Sequence, residues 1–147
     1  MVLGSKSDLE CLKDGFRLLK DFDIPYSLEI ISAHRVPDKL RRFCKKIEAK
    51  GVKVIIACAG LSAALPGFIA SYVNIPVIGV PLDSGNLKGI ESLLSITEVP
   101  KGIGLVSTGI GQKGFINAII FSLKILSLPF GDYAVMLKAL EAEFKKR

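Results

Sequence analysis

The feature that most limits how this chain can fold is a stretch without any charged residue, from Val54 to Leu82. A stretch of this length could span a membrane as a helix. However, residues that break regular structure interrupt it at short intervals: Gly60, Pro66, Gly67, Asn74 and Pro76. This spacing is typical of a buried strand, a buried helix and a second buried strand. We therefore predict a sheet covered on both faces and no insertion into a membrane.

The rest of the chain continues the alternation of short apolar runs with helical patterns. Strands are predicted at residues 1–3, 25–31, 52–57, 77–80 and 103–107. Helices are predicted at residues 7–22, from Pro37 through Ile47, and at 62–73, 88–98, 114–126 and 132–146. Apolar strands separated by helices indicate a parallel sheet. The predicted fold is an α/β three-layer sandwich, a flavodoxin-like, doubly wound parallel sheet of about five strands.

We predict one domain over residues 1–147, a length sufficient for a buried core. Residues 129–147 form a C-terminal helical extension, because Pro129 and Gly131 separate the last helix from a sheet that is already complete. Half of the residues are hydrophobic. A subunit interface would bury this surplus, and we expect the last helix to pack on a neighbouring subunit.

The net charge of +6 arises mainly from basic residues on the second helix and at the end of the chain. A solvated helix face accounts for most of them, and steering of an anionic ligand is the functional alternative. Aromatic residues do not interleave with the basic ones, so we predict no nucleic-acid partner.

Cys11, Cys44 and Cys58 are odd in number and widely spaced. Together with a single histidine, they argue against a disulfide framework and against a metal site. The first apolar run, Met1–Leu3, is too short for a signal peptide. A cytoplasmic location is therefore expected.

Three loops that follow the first three strands carry the candidate chemistry, because ligands of open parallel sheets bind at the carboxyl ends of the strands. In the first loop, Gly4 to Asp8, glycine and the hydroxyls of Ser5 and Ser7 precede a helix, an arrangement that attracts phosphate. Asp8 could accept hydrogen bonds from ribose hydroxyls. The alternative for Ser7 is a capping box with Glu10.

The second loop, Ser32-Ala33-His34-Arg35, contains the one histidine of the chain. Arg35 can bind phosphate through two hydrogen bonds, and a histidine gains and loses a proton near neutral pH. A purely structural histidine is the alternative.

The third loop, Ala57 to Gly67, consists largely of small residues that let the backbone approach a ligand. Close helix packing is the alternative explanation. Cys58 within it suits either a small buried side chain or a nucleophile.

These loops together resemble a known family. The matching segments are Gly4–Asp8, Ser32–Arg35, Ala59–Gly67 and Leu87–Pro100, in order along almost the whole chain. They look like carboxyaminoimidazole ribonucleotide mutase of purine biosynthesis. The resemblance implies movement of a carboxylate from the exocyclic nitrogen of aminoimidazole ribonucleotide to a ring carbon, without metal or organic cofactor. It also implies a homo-octamer.

The resemblance further implies the roles of individual residues. Ser5, Asp8 and Arg35 match the residues that bind the ribonucleotide, and His34 matches the catalytic histidine. A histidine could protonate the nucleobase and later remove a proton from the ring carbon. The remaining predicted substrate-binding residues are Ser7, Ser32, Ala59, Gly60, Ser62 and Leu65. The apolar third loop would retain carbon dioxide.

One departure leaves the branch of the family open. The mutase branch usually has histidine where Ala64 stands, whereas a related branch that carboxylates aminoimidazole ribonucleotide directly lacks it and often has serine at the position of Ser62. Arg35 and the Leu93–Pro100 segment resemble the mutase branch. A mutase is therefore the leading interpretation, with the direct carboxylase as the alternative. A nucleotide-binding module without catalysis is a third possibility on this fold, and a flavin carrier a weaker fourth.

Overall fold

The computed structural model describes residues 1–146, and within them five strands form one parallel sheet. The strands are β1 (Val2–Leu3), β2 (Glu29–Ile30), β3 (Ile55–Ala59), β4 (Val77–Pro81) and β5 (Val106–Ser107). The helices are α1 (Asp8–Cys11), α2 (Lys13–Asp21), α3 (Pro37–Ile47), α4 (Ala64–Tyr72), α5 (Ile90–Thr97), α6 (Gly111–Ser127) and α7 (Gly131–Lys145). A short 3₁₀ turn, Glu48–Lys50, follows α3.

The strands are arranged in the order β2-β1-β3-β4-β5. This is the flavodoxin-like order, in which the winding direction reverses between β1 and β3. The predicted fold class, a doubly wound parallel sheet of about five strands, is confirmed.

Two apolar cores lie on opposite faces of the sheet. On one face, α3, α4 and α5 contribute Leu40, Ile69 and Ile96. On the other face, α2 and α6 contribute Leu19 and Phe115. The sheet and its two helical layers make the three-layer sandwich that the sequence predicts.

The uncharged stretch is the centre of this sandwich. Every residue of β3 and of β4 is buried, because both strands have a strand on each side and helices on both faces. A run of apolar residues is the pattern that such strands require. Within residues 1–146, no helix combines the length and the apolar character needed to cross a bilayer.

The edge strands are shorter than predicted. Only two residues of the predicted strand 25–31 pair as β2, and only two of 103–107 pair as β5. Each of these strands lies at an edge of the sheet, with one neighbour instead of two. The apolar pattern alone does not reveal this reduced pairing.

The first helix is not continuous, so the prediction of one helix over residues 7–22 is wrong. The chain leaves helical geometry at Leu12, where φ is −116° and ψ is 10°, and α2 begins at the next residue. The side-chain amide of Gln112, from α6, is inserted there. In the amide orientation that satisfies both backbone groups, its nitrogen donates to the carbonyl oxygen of Cys11 (2.9 Å), and its oxygen accepts from the amide nitrogen of Gly15 (2.6 Å). Helices break or bend where a side chain enters their hydrogen-bond ladder.

The C-terminal helix α7 packs on α6 of the same chain. Leu140 is fully buried in the core beneath it, and Lys124 of α6 contacts Glu141 of α7 at 3.3 Å. Val135 of α7 remains 70% exposed. One face of α7 thus packs against α6 of the same chain, and its outer face is open to solvent.

Candidate active site

The first three loops lie at the same end of the sheet because their strands are parallel neighbours. Leu3 at the end of β1 pairs with Ile30 of β2 and with Cys58 of β3. The amide nitrogen of Gly4 also donates to the carbonyl oxygen of Cys58 at 3.1 Å. The loops that follow therefore leave the same edge of the sheet, on both sides of the point where its winding reverses. Ligands of such sheets bind in this crevice.

The first loop is closed by hydrogen bonds among its own polar groups. The Ser5 amide nitrogen donates to Oδ2 of Asp8 at 2.9 Å, and the Ser7 hydroxyl donates to Oγ of Ser5 at 2.9 Å. Among the described residues, the Ser7 side chain makes no helix-capping hydrogen bond. Glu10, its partner in the capping-box alternative, instead contacts Lys13 at 2.9 Å on the exposed surface. Ser7 thus stabilises the loop, and its side chain does not cap the helix.

Asp8 is half-buried, and this burial raises the pKa of its carboxyl group above the ordinary value. Hydrogen bonds from the Ser5 backbone, the Ser7 side chain and the Gly4 backbone act in the opposite direction. A partly desolvated carboxylate is a stronger hydrogen-bond acceptor than one in water. Asp8 therefore has the character that capture of a ribose diol requires.

The second loop is a turn that projects its functional groups into solvent. The Ser32 hydroxyl accepts a hydrogen bond from the amide nitrogen of Arg35 at 3.3 Å, and the Ser32 carbonyl accepts from Val36 at 3.1 Å. His34 and Arg35 lie on the outside of this turn and are exposed, whereas Ala33 is buried beneath it. Ser32 thus holds the turn that presents the imidazole and the guanidinium.

The third loop has strained backbone where it leaves β3. Leu61 has a φ of 54° and Ala63 a φ of 28°, in the left-handed region that side chains other than glycine rarely adopt. The fully buried Ser92 of α5 stabilises this shape, because its hydroxyl donates to the Leu61 carbonyl at 3.0 Å. Such strain persists where the surrounding structure enforces it, and it is common at functional sites.

The predicted residues of the third loop occupy different depths. Ser62 is exposed, Gly60 is half-buried and Ala59 is 6% exposed. Leu65, in the first turn of α4, is only 2% exposed, so its side chain belongs to the core. Ala64, where the resemblance would place a histidine, is half-buried at the start of α4.

Cys58 lies beneath these loops as a buried apolar residue. It is fully buried, and desolvation raises the pKa of its thiol strongly. A thiol held in its protonated form is a poor nucleophile. Of the two alternatives for Cys58, the structure favours the small core residue.

A fourth loop, residues 83–89, joins the site and was not predicted. It follows β4 and begins directly beside the third loop, because the Leu82 amide nitrogen donates to the Ala59 carbonyl at 3.0 Å. Ser84 then lies so close to Gly60 that a Cβ atom on that glycine would be 1.7 Å from the Ser84 hydroxyl oxygen. The sequence does contain a signal for this loop, because Asp83, Ser84 and Gly85 are polar or small residues that follow an apolar strand, as in the first loop.

These four loops follow the carboxyl ends of four neighbouring parallel strands and carry three kinds of groups. Hydroxyls and a half-buried carboxylate come from the first loop, a cation and an imidazole from the second, and backbone with small side chains from the third and fourth. The first set suits a ribose phosphate, the second suits phosphate binding and proton transfer, and the last suits a flat ring and a small apolar molecule.

Sequence comparison identifies related proteins. A family model described as AIR carboxylase matches residues 1–147. The chain is 41% identical over 146 residues to N5-carboxyaminoimidazole ribonucleotide mutase of Pyrococcus abyssi, covering 99% of this chain and 83% of the relative. It is 39% identical over 145 residues to the protein of the same name from Saccharolobus solfataricus, covering 99% and 90%.

Structural comparison agrees with the sequence relationship. The crystal structure of Treponema denticola PurE superimposes with a TM-score of 0.83 at 29% sequence identity. The match covers 99% of this chain and 90% of that structure. The similarity thus extends over the whole sandwich, including the carboxyl end of the sheet that carries the four loops.

Proposed function

The chain belongs to the AIR carboxylase family, and we propose that it acts as an N5-carboxyaminoimidazole ribonucleotide mutase. The observation that supports the proposal is the shared carboxyl end of the sheet, where the loop with His34 and Arg35 and the loop with Ser5 and Asp8 leave neighbouring strands. Several relatives that match nearly the whole chain bear the mutase name, which favours the mutase over direct carboxylation.

In the proposed complex, the ribonucleotide is held by the first and second loops. The hydroxyls of Ser5 and Ser7 and the guanidinium of Arg35 bind the phosphate, with Ser32 holding the turn. The Asp8 carboxylate accepts hydrogen bonds from the ribose. Arg35 is exposed and can approach the phosphate with two parallel hydrogen bonds.

The proposed reaction proceeds through carbon dioxide and needs one proton carrier. The bond between the exocyclic nitrogen and its carboxylate breaks, carbon dioxide leaves, and His34 gives a proton to the nitrogen. The ring carbon then forms a bond to the same carbon dioxide, and its proton passes to His34. The histidine ends in its initial protonation state, so atoms, electrons and protons balance. No cofactor is required in this scheme.

The third loop would keep the carbon dioxide beside the ring. Ala59, Gly60 and Ser62 would provide a wall of small groups, with Leu65 in the core behind it and Ser84 of the fourth loop against Gly60. With alanine at position 64, the third loop has no histidine, and His34 of the second loop carries out the proton transfers alone. Enclosure of a reactive intermediate is a recognised role for such a wall.

The test of this proposal is His34→Asn, with Asp38→Asn as the matched control. Asp38 lies four residues further on, in the first turn of α3, and is exposed. We expect His34→Asn to fold, to bind the ribonucleotide and to lose about 10²- to 10⁴-fold in kcat, the usual contribution of a general acid–base. Asp38→Asn keeps wild-type turnover. Undiminished kcat in His34→Asn would refute the role of His34.

The choice between the two branches depends on the substrate that is used. Wild-type protein is given either the carboxyamino ribonucleotide or aminoimidazole ribonucleotide with bicarbonate and carbonic anhydrase. We expect a higher kcat/KM with the carboxyamino isomer. A higher kcat/KM with the second mixture would assign the direct carboxylase. Binding of either ribonucleotide without turnover would assign the nucleotide-binding module.

We also propose a single domain over residues 1–147 that assembles into a homo-octamer in the cytoplasm. Large apolar side chains are exposed at the junction of α6 and α7, where Leu128 is 86% exposed and Val135 is 70% exposed. Contact with a neighbouring subunit, including the outer face of α7, would cover them. Light scattering should give about eight times the 15.8 kDa of one chain. A monomer would contradict this proposal.

A further inference from the structure

Gln112 connects the helical layer of α6 to the loop that holds the ribonucleotide in the proposed function. It is the second residue of α6, and the helix that it enters begins at Asp8, about one hundred residues earlier in the chain. Its amide lies between the Cys11 carbonyl and the Gly15 amide nitrogen, with hydrogen bonds of 2.9 and 2.6 Å.

These two backbone groups are natural partners of each other. In an unbroken α-helix, the amide nitrogen of residue 15 donates to the carbonyl of residue 11. The Gln112 amide replaces this single bond by two, because it offers a donor to one group and an acceptor to the other. The break at Leu12 therefore leaves both backbone groups satisfied.

A second contact from α6 fixes the same turn. Phe115, one helical turn after Gln112, is fully buried and lies directly against Gly15. A Cβ atom on Gly15 would be 2.3 Å from the Phe115 ring. The aromatic rings of Phe115 and Phe16 also pack together, with their centroids 5.1 Å apart. The ring thus requires glycine at position 15, whose backbone also binds the Gln112 amide.

The break decides the direction of α1, and α1 carries the binding groups of the first loop. Asp8 is the first residue of α1, and its carboxylate holds the Ser5 amide nitrogen at 2.9 Å. If the helix closed at Leu12, α1 would turn onto the axis of α2 and carry Asp8 and Ser5 with it. Such a displacement would remove contacts to the ribonucleotide in the ground state and the transition state alike, which raises KM.

We propose that Gln112 is a positioning residue for the ribonucleotide site. It shapes the site by maintaining the break at Leu12 that separates α1 from α2. This inference rests on the proposed function for the identity of the ligand. Gln112 acts through the backbone and is not a catalytic residue. Its loss is therefore expected to weaken binding of the ribonucleotide in its ground state and its transition state alike.

The test replaces the amide by an apolar side chain of similar length, in Gln112→Met. Asn117→Met is the control, since Asn117 is exposed on the same helix. We expect KM for the carboxyamino ribonucleotide to rise about tenfold or more in Gln112→Met, with kcat within about threefold of wild type, the pattern of lost uniform binding. In its crystal structure, Gly15 should bond directly to Cys11. Asn117→Met should match wild type in both measurements.

Two results would overturn the proposal: a wild-type KM in Gln112→Met, or a helix still broken at Leu12 in its crystal structure. If the methionine variant does not fold, Gln112→Glu serves instead. Its carboxylate keeps the bond to Gly15 and opposes the Cys11 carbonyl, so KM should again rise, and a wild-type KM would again overturn the proposal. If wild-type protein turns over neither substrate, the proposed function fails, while the crystal structure still decides whether Gln112 holds the break.

Discussion

Replacing Gly15 by alanine should destabilise the protein, although alanine is the better helix former. In the interior of a helix, alanine is favoured over glycine by about 1 kcal/mol. At Gly15 the added Cβ would lie 2.3 and 2.6 Å from two carbons of the Phe115 ring, more than 1 Å inside ordinary contact. Phe115 is 0% exposed, so its ring cannot move into solvent.

Overpacking of this kind costs about 1–3 kcal/mol. The clash should therefore exceed the helix preference, and we expect a net loss of about 1 kcal/mol in the free energy of unfolding. Urea denaturation at one fixed protein concentration measures it. Gly131→Ala is the control, because Gly131 begins α7 and no atom lies within 4 Å of its added Cβ. It should be neutral or slightly stabilising. A Gly15→Ala protein as stable as wild type would refute the close packing of α6 on this turn.

Two further predictions concern the loops of the site. Gly60→Ala places a Cβ atom 1.7 Å from the Ser84 hydroxyl oxygen and should lower kcat/KM about 10- to 100-fold while the urea midpoint barely changes. The double variant Gly60→Ala/Ser84→Gly removes the clash and should recover most of the activity; no recovery would argue against contact of the third and fourth loops. Asp8→Asn should raise KM for the ribonucleotide about tenfold or more, because hydrogen bonds to a charged acceptor are the stronger ones.

The same Asp8 variant should also have a pH-dependent stability. Because burial raises the pKa of Asp8 in the folded state, the wild-type protein is relatively favoured below the ordinary value of 3.8, and this advantage is lost as the pH rises through the raised pKa. At neutral pH, Asp8→Asn avoids the cost of a desolvated charge and should unfold at an equal or higher urea concentration. The difference should disappear below about pH 4. A variant that is less stable than wild type only at neutral pH would contradict this explanation.

The sheet could be predicted from the sequence because its two central strands consist of uninterrupted apolar residues. The run from Val54 to Leu82 contains β3, α4 and β4, and their positions follow from the glycines and prolines that separate them. Strand ends locate the loops, and parallel strands bring these loops together. The placement of the loops with Ser5 and Asp8 and with His34 and Arg35 at the same end of the sheet is therefore accessible without a structure.

The features that escaped prediction depend on partners distant in the chain. Residues 7–22 have an uninterrupted helical pattern, and only Gln112 explains why the helix breaks. Ser7 and Glu10 fit a capping box locally, but Ser5 competes for the Ser7 hydroxyl. The fourth loop became part of the site through the contact of Ser84 with Gly60. Periodicity describes one element at a time and contains no such information.

The insertion of Gln112 also sets an order of events during synthesis of the protein. A nascent chain that ends before residue 112 contains the whole first loop but not the amide that opens its helix. Residues 8–21 are then free to form one continuous helix, since Gly15 and Cys11 have only each other as partners. The binding loop can take its final shape only after α6 has been made and has docked. With Gln112 in the proposed role, the first loop is completed by a residue from the last quarter of the sequence.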